Sequence, residues 1–126
     1  IRKQYVKIYD EAFRKVPELE TLETRDYAES SHHLYIIALH LDQLSITRDE
    51  FIDEIQSTGI GVAVHYKAIH LQPFYAKEFS AQLATYPIAT SYSHRMISLP
   101  LYPRMSIDDI ERVVGVVKEI ISRNRR

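Results

Sequence analysis

The stretch from Gly59 to Tyr75 constrains the fold of this chain more than any other. It reads GIGVAVHYKAIHLQPFY. A glycine at its start can adopt the left-handed conformation that ends a helix, and the alternation after it is typical of a short strand over residues 60–66. We call the polar, aromatic segment that follows, residues 65–75, the elbow. The stretch therefore predicts a helix end, a strand and a bend in immediate succession.

Apolar periodicity and capping residues predict four helices. The first spans Ile1 to Val16 and has no capping residue in its first turn, so we expect that the chain was cut inside a longer helix. The others start at the capping box Thr47–Glu50, at Pro73 and at Ser106, while Pro87 either ends the third or starts a shorter helical turn. Each of these three helices has a predicted inward face. The inward positions are Phe51, Ile52 and Ile55 in the helix after Thr47; Tyr75, Phe79 and Leu83 in the helix that starts at Pro73; and Ile110, Val113, Val114, Val117 and Ile121 in the helix after Ser106.

Three apolar runs are predicted strands, over residues 33–41, 60–66 and 96–99. The polar residues 18–31 are interpreted as a surface connection. At 126 residues the chain has room for one hydrophobic core. The order of elements predicts an α+β fold in which a small three-stranded sheet is covered by helices.

Composition excludes several classes of function. The chain carries 16 Lys+Arg against 17 Asp+Glu, so its charge favours neither nucleic acid nor an anionic membrane as partner. It has no apolar run of the roughly 20 residues that span a bilayer, and no cysteine for disulfides or thiolate metal sites. A cytoplasmic protein is the expectation. The basic residues at the C-terminus, Arg123, Arg125 and Arg126, are expected to be frayed.

The elbow carries the residues most suited to binding. His65, Tyr66, His70 and Tyr75 place donors and acceptors around one bend after a strand, where binding residues often lie. Taken singly, His65 is better explained by a backbone hydrogen bond. A metal site that combines the elbow histidines with His32 and His33 matches no zinc spacing, and Lys67 is better explained as a solvated charge than as a Schiff-base lysine.

Three blocks together resemble a known family. They are SSHHLYIIAL, GIGVAVHYKAIHLQPFY and YPIATSYSHRMISLPLYPRMSIDDIERVV. In order and spacing they are similar to the C-terminal small domain of the DegT/DnrJ/EryC1/StrS family of sugar aminotransferases, which depend on pyridoxal phosphate (PLP). The resemblance implies a fold-type I PLP-dependent transferase, with residues 1–16 as the end of an inter-domain helix and residues 17–126 as the small domain. The large, PLP-binding domain with its catalytic lysine would then be absent from this chain.

The resemblance also implies a reaction. Such enzymes, usually homodimers, move an amino group from glutamate to a keto sugar carried on a nucleotide, for polysaccharide or amino-sugar biosynthesis. This chain alone would be inactive and would hold neither catalytic nor cofactor-binding residues. A dehydratase of the same family, in which the lysine is replaced, and a stand-alone α+β binding module stay open as alternatives.

The same resemblance implies which residues meet the substrate. His65, Tyr66 and His70 match the family's elbow, near the sugar-nucleotide end of the active site. His33 and Tyr35 match positions at the start of its first small-domain strand. Thr90 stands where a glutamate is common in relatives, and its role is not assigned by the sequence.

Overall fold

The structure, a computed structural model, describes residues 1–78 and 86–126. Within that part of the chain it contains five α-helices and one three-stranded antiparallel sheet, which confirms the predicted α+β fold. The elements are α1 (Arg2–Phe13), β1 (Leu19–Thr21), β2 (Tyr35–Leu39), α2 (Arg48–Ser57), α3 (Pro73–Glu78), α4 (Pro87–Arg95), β3 (Met96–Leu99) and α5 (Ile107–Asn124). Short 3-10 turns occupy Leu41–Gln43 and Ile69–Leu71.

Strand β2 is the centre of the sheet and pairs antiparallel with both neighbours. Because side chains alternate along a strand, Ile37 and its partner Ile97 share one face, which is buried beneath α1, α2 and α5. Ala38 and Ser98 lie on the opposite face, towards α4 and the elbow. The core thus occupies one side of the sheet, and the candidate site lies on the other.

Strand β1 lies inside the segment that the sequence analysis interpreted as a surface connection, so that interpretation was wrong for residues 19–21. The strand is three residues long and carries Glu20, so it lacks an apolar pattern. The Glu20 carboxylate is neutralised by Arg95, whose guanidinium donates a hydrogen bond to it at 2.8 Å. A polar edge strand of this kind depends on a partner 75 residues away, which local sequence does not reveal.

The predicted strand over residues 60–66 does not form. This segment meets the sheet at a single antiparallel bridge, in which Ala63 and Ser98 exchange backbone hydrogen bonds of 3.3 and 2.8 Å. Ile60 is buried, but Val62 and Val64 are only half-buried. The alternation of apolar residues therefore reflects an extended segment that lies along the edge of β3 without forming a ladder.

The predicted caps are confirmed. Thr47 and Glu50 form a capping box at α2, Ser106 caps α5, and Gly59 has a φ of 82°, the left-handed conformation that ends a helix. Pro87 is the first residue of α4, which fits the second of the two predicted roles for this proline.

Helix α3 begins at Pro73 as predicted, but it has no buried residue. Tyr75, which was expected to point inward, is 43 % exposed. The other two inward positions predicted for this helix, Phe79 and Leu83, lie outside the described residues.

The C-terminal arginines are paired, so the expectation of a frayed tail was wrong. Arg123 forms an ion pair with Glu54, and Arg125 forms one with Glu18. The backbone also joins the loop before α2, since Leu44 and Arg125 form an antiparallel bridge. Glu18 is only 2 % exposed, and within the described residues its Oε2 atom has no hydrogen-bond partner. Arg125 is therefore the main counter-charge of a buried carboxylate.

We predict that Arg125→Ala lowers the free energy of unfolding by about 2–3 kcal/mol, since it leaves the buried Glu18 carboxylate without a counter-charge. The Arg125→Ala/Glu18→Gln double variant should recover part of that loss. Urea unfolding of the three proteins measures the effect. Arg126→Ala is the matched control, because within residues 1–78 and 86–126 that side chain forms no ion pair, whereas Arg125 pairs with Glu18. Equal effects of Arg125→Ala and Arg126→Ala would contradict the prediction.

Candidate functional site

His65 anchors the start of the elbow to the sheet. Its Nδ1 atom lies 2.8 Å from the hydroxyl oxygen of Ser98, on the face of β3 that points away from the core. The next residue, Tyr66, is 72 % exposed, and its ring meets that of His65 edge-on at 5.0 Å between centroids. The peptide bond between the two is cis. A fixed imidazole thus lies beside an exposed phenol.

The middle of the elbow is attached to α4. The Nε2 atom of His70 lies 2.7 Å from the Thr90 hydroxyl, and the backbone N–H of Ala68 donates to the Ser93 hydroxyl at 2.9 Å. Thr90 and Ser93 are three residues apart, so they lie on the same face of the helix. The ring of Tyr86, at 5.2 Å from that of His70, completes this contact. Three hydroxyls on α4 and β3 therefore hold the elbow.

Helix α4 is itself fixed to the sheet by ionic contacts. Arg95 donates to Glu20 and lies 4.3 Å from the centre of the Tyr92 ring. A hydrogen bond from the Tyr92 hydroxyl and the nearby charge of Arg95 lower the pKa of Glu20 below its ordinary value. Arg48 of α2 donates to the carbonyl oxygens of Ser93 and of Met96, each at 3.3 Å. The helix that carries Thr90 and Ser93 is thus held at its C-terminal end.

The elbow exposes large apolar side chains. Ile69 is 69 % exposed and Phe74 is 65 % exposed, in addition to Tyr66. Ile88, at the start of α4, is 73 % exposed. Apolar side chains that gather in one exposed region are typical of surfaces that meet a ligand or another part of a protein.

The other two predicted substrate-binding residues lie apart from the elbow. Tyr35 is buried in β2, on the core face; its hydroxyl donates to Asp10 at 2.7 Å, and its ring stacks on that of Tyr9 at 4.5 Å. Burial, and then the hydrogen bond to Asp10, raise the pKa of Tyr35. His33 is exposed before β2. Within the described residues, no hydrogen bond or ring contact joins either of them to the elbow.

Sequence reasoning missed the hydroxyls that hold the elbow. Thr90 was noted only as a departure from relatives, and Ser93 and Ser98 were not singled out. The spacing of Thr90 and Ser93 on one helix was the available signal, but their partners lie 20 and 25 residues away. Long-range pairing of this kind cannot be inferred from spacing alone.

The elbow joins two histidines to hydroxyl groups of the neighbouring elements. His65 and His70 each meet a different hydroxyl, and among residues 1–78 and 86–126 no group of three or more His, Cys, Asp or Glu could hold a metal ion. Over the same residues, no helix is long and apolar enough to cross a bilayer. The elbow offers imidazole and phenol groups on a rigid support, which suits recognition of a polar ligand.

Residues 1–118 match the model of the DegT/DnrJ/EryC1/StrS aminotransferase family. The chain belongs to this family. The match covers both the elbow and the helix–strand unit that holds it, as the three sequence blocks indicated.

Relatives and solved structures agree with this assignment. The chain is 40 % identical over 124 residues to the uncharacterized protein MJ1066 of Methanocaldococcus jannaschii, covering 98 % of this chain and 32 % of that protein. It is 35 % identical over 121 residues to the spore coat polysaccharide biosynthesis protein SpsC of Bacillus subtilis. This match covers 95 % of the present chain and 31 % of SpsC. The solved structure of Spr1654 from Streptococcus pneumoniae, assigned as a sugar aminotransferase, superposes with a TM-score of 0.84 at 28 % identity. The superposition covers 97 % of the present chain and 30 % of Spr1654. The chain thus spans about a third of each protein's length.

The family and its structural neighbours are PLP-dependent aminotransferases, and Spr1654 is known in a PLP form. The residues of this chain do not by themselves fit that cofactor. Covalent attachment of PLP requires a lysine amine that can lose its proton, which burial favours. Every lysine here is exposed; they are Lys3, Lys7, Lys15, Lys67, Lys77 and Lys118.

We predict that the ionic anchor of α4 weakens in acid. The pKa of Glu20 is lowered from 4.5 in the folded chain, so its stabilising contribution is complete above pH 4.5 and is lost as the pH falls through the folded value. Glu20→Gln should therefore destabilise the protein at pH 7, and its effect should be smaller at pH 3. Thermal unfolding at both pH values tests this. Glu111→Gln, at an exposed position of α5, is the control. A Glu20→Gln effect of the same size at pH 3 would contradict the prediction.

Proposed function

We propose that this chain is the C-terminal small domain of a PLP-dependent aminotransferase that transfers the amino group of glutamate to a nucleotide-linked keto sugar. Residues 1–16 would be the end of an inter-domain helix, and residues 17–126 the small domain. Family membership and the match to about a third of each relative support this proposal. The involvement of SpsC in polysaccharide biosynthesis supports a sugar product of the same general kind.

The observation that carries the proposal is the elbow. His65 and His70 are held by hydroxyls, yet Tyr66 between them is 72 % exposed. A rigid polar support with exposed aromatic groups is suited to a sugar nucleotide, whose sugar carries hydroxyls and whose base carries a flat ring. We assign His65, Tyr66 and His70 to the substrate-binding surface.

His33 and Tyr35 have different roles in the proposed enzyme. His33 is exposed and can reach a ligand that approaches the start of β2. Tyr35 would have to break its hydrogen bond to Asp10 to contact substrate, so we expect it to act by fixing the start of β2.

PLP would be bound by the part of the enzyme that this chain does not include, and the enzyme would be a cytoplasmic homodimer. When bound, PLP accepts the amino group from glutamate and passes it to the sugar. This chain would bind and orient the nucleotide sugar and would be inactive by itself.

Binding of PLP separates this proposal from a binding module without enzymatic activity. The full-length protein should bind PLP and show the visible absorbance of lysine-bound PLP, whereas the 126-residue chain alone should not. Replacing the PLP-binding lysine should abolish both the absorbance and amino transfer. Spectrophotometry of the three proteins tests this. A full-length protein with no such lysine would contradict an aminotransferase and favour the dehydratase.

Substitution of Tyr66 tests the elbow. Tyr66→Ala in the full-length enzyme should raise KM for the nucleotide sugar about tenfold while changing stability by less than about 0.5 kcal/mol, because the side chain is exposed. Steady-state kinetics and urea unfolding measure the two effects.

Tyr27→Ala is the matched control, since that tyrosine is 90 % exposed and lies outside the elbow. It should change neither KM nor stability. If Tyr66→Ala left KM unchanged, or acted mainly by lowering stability, the assignment of the elbow to substrate binding would fail.

A further inference from the structure

Thr90 makes two hydrogen bonds through one hydroxyl oxygen. The oxygen lies 2.7 Å from Nε2 of His70 and 2.8 Å from the backbone carbonyl oxygen of Tyr86, one helical turn earlier. A hydroxyl has one proton to donate, and a carbonyl oxygen can only accept. The Thr90 proton is therefore used on Tyr86, so Nε2 of His70 must be the donor in the other bond.

This arrangement fixes the proton on the imidazole. A neutral histidine carries its proton on only one ring nitrogen, so a proton on Nε2 leaves Nδ1 as an acceptor. Among residues 1–78 and 86–126, no hydrogen-bond partner of Nδ1 is found. The ring orientation is also restricted, because the Tyr86 ring packs against it at 5.2 Å with a 33° tilt.

We propose that Thr90 is a positioning residue that holds His70 as its Nε2–H tautomer, so that Nδ1 accepts a hydrogen bond from a hydroxyl of the sugar substrate. This inference rests on the proposed function. An accepting Nδ1 suits a hydroxyl and does not suit a phosphate oxygen, which is itself only an acceptor. His70 would therefore recognise the sugar rather than the diphosphate of the ligand.

The first test observes the tautomer without any substrate. The full-length protein, labelled with ¹⁵N at histidine, is studied by NMR in mildly alkaline buffer, and His70→Gln identifies the His70 signals. We expect the protonated nitrogen to be Nε2 in the native protein and in Thr90→Ser, and a mixture of tautomers in Thr90→Val, which keeps the shape but lacks the hydroxyl. A proton on Nδ1 in the native protein, or no change in Thr90→Val, overturns the proposal.

The second test measures the effect on substrate. Thr90→Val should raise KM for the nucleotide sugar about fivefold, as expected for one neutral hydrogen bond, with kcat unchanged. Thr90→Ser should restore the native value. Inhibition by the nucleoside diphosphate alone should be the same in all three proteins. Ser91→Ala, at the exposed neighbouring position on α4, is the control and should have no effect.

The outcomes distinguish this inference from the proposed function. If His70→Gln raises KM but Thr90→Val does not, the positioning role is overturned and the site assignment stands. If Thr90→Val weakens the nucleoside diphosphate as much as the nucleotide sugar, the assignment of Nδ1 to a sugar hydroxyl is overturned. If His70→Gln leaves KM unchanged, both the positioning role and the place of His70 in the site are overturned, whatever the tautomer.

Discussion

The candidate site depends on the direct junction between α4 and β3. The helix ends at Arg95 and the strand begins at Met96, with no loop between them. Because β3 is paired with the central strand β2, the register of the sheet also fixes the helix that precedes β3. Thr90 and Ser93 on the helix and Ser98 on the strand thus form one rigid row of hydroxyls. Each holds one point of the elbow, and the elbow inherits its position from the sheet.

The two sets of contacts in this region differ in kind. His65, His70 and the backbone of Ala68 form hydrogen bonds to serine or threonine hydroxyls, which carry no charge. The contacts that hold α4 on the sheet are ionic and centre on Glu20 and Arg95. A neutral hydrogen bond contributes about 1 kcal/mol and responds little to salt, whereas partly exposed ion pairs weaken with salt and acid. Salt and acid therefore act directly on the contacts that position the helix, and only indirectly on the hydroxyl contacts of the elbow.

Sequence reasoning succeeded where the determining interactions are local. The capping boxes at Thr47 and Ser106, and the left-handed Gly59, involve residues within one helical turn, so their types alone predict the helix ends. Strand membership is decided by distant partners. Glu20 lies in a strand because its backbone pairs with β2 and its carboxylate binds Arg95. Residues 60–66 have the apolar pattern of a strand, yet in the structure they form a single bridge to β3.

The same distinction explains what the sequence could say about the site. The resemblance grouped His65, Tyr66 and His70, and in the structure the two histidines each contact a hydroxyl while Tyr66 is exposed. The resemblance could not separate them from Tyr35, because Tyr35 lies in an almost continuously apolar run, residues 33–41, which gives no sign of which face of the sheet each residue occupies. The hydroxyl partners of the histidines are equally hard to predict, since Thr90 lies 20 residues from His70 and Ser98 lies 33 residues from His65.

Two tyrosines show how differently the fold uses the same residue type. Tyr35 is 5 % exposed, stacked on Tyr9 and bonded to Asp10, so its contribution to stability is complete within this chain. Tyr66 is 72 % exposed, and Ile69 and Phe74 are nearly as exposed. Burying a large apolar side chain contributes about 1.5–3 kcal/mol, and these residues gain little of it here. Their side chains therefore stabilise the described part of the chain little, and under the proposed function they are available for contacts with substrate.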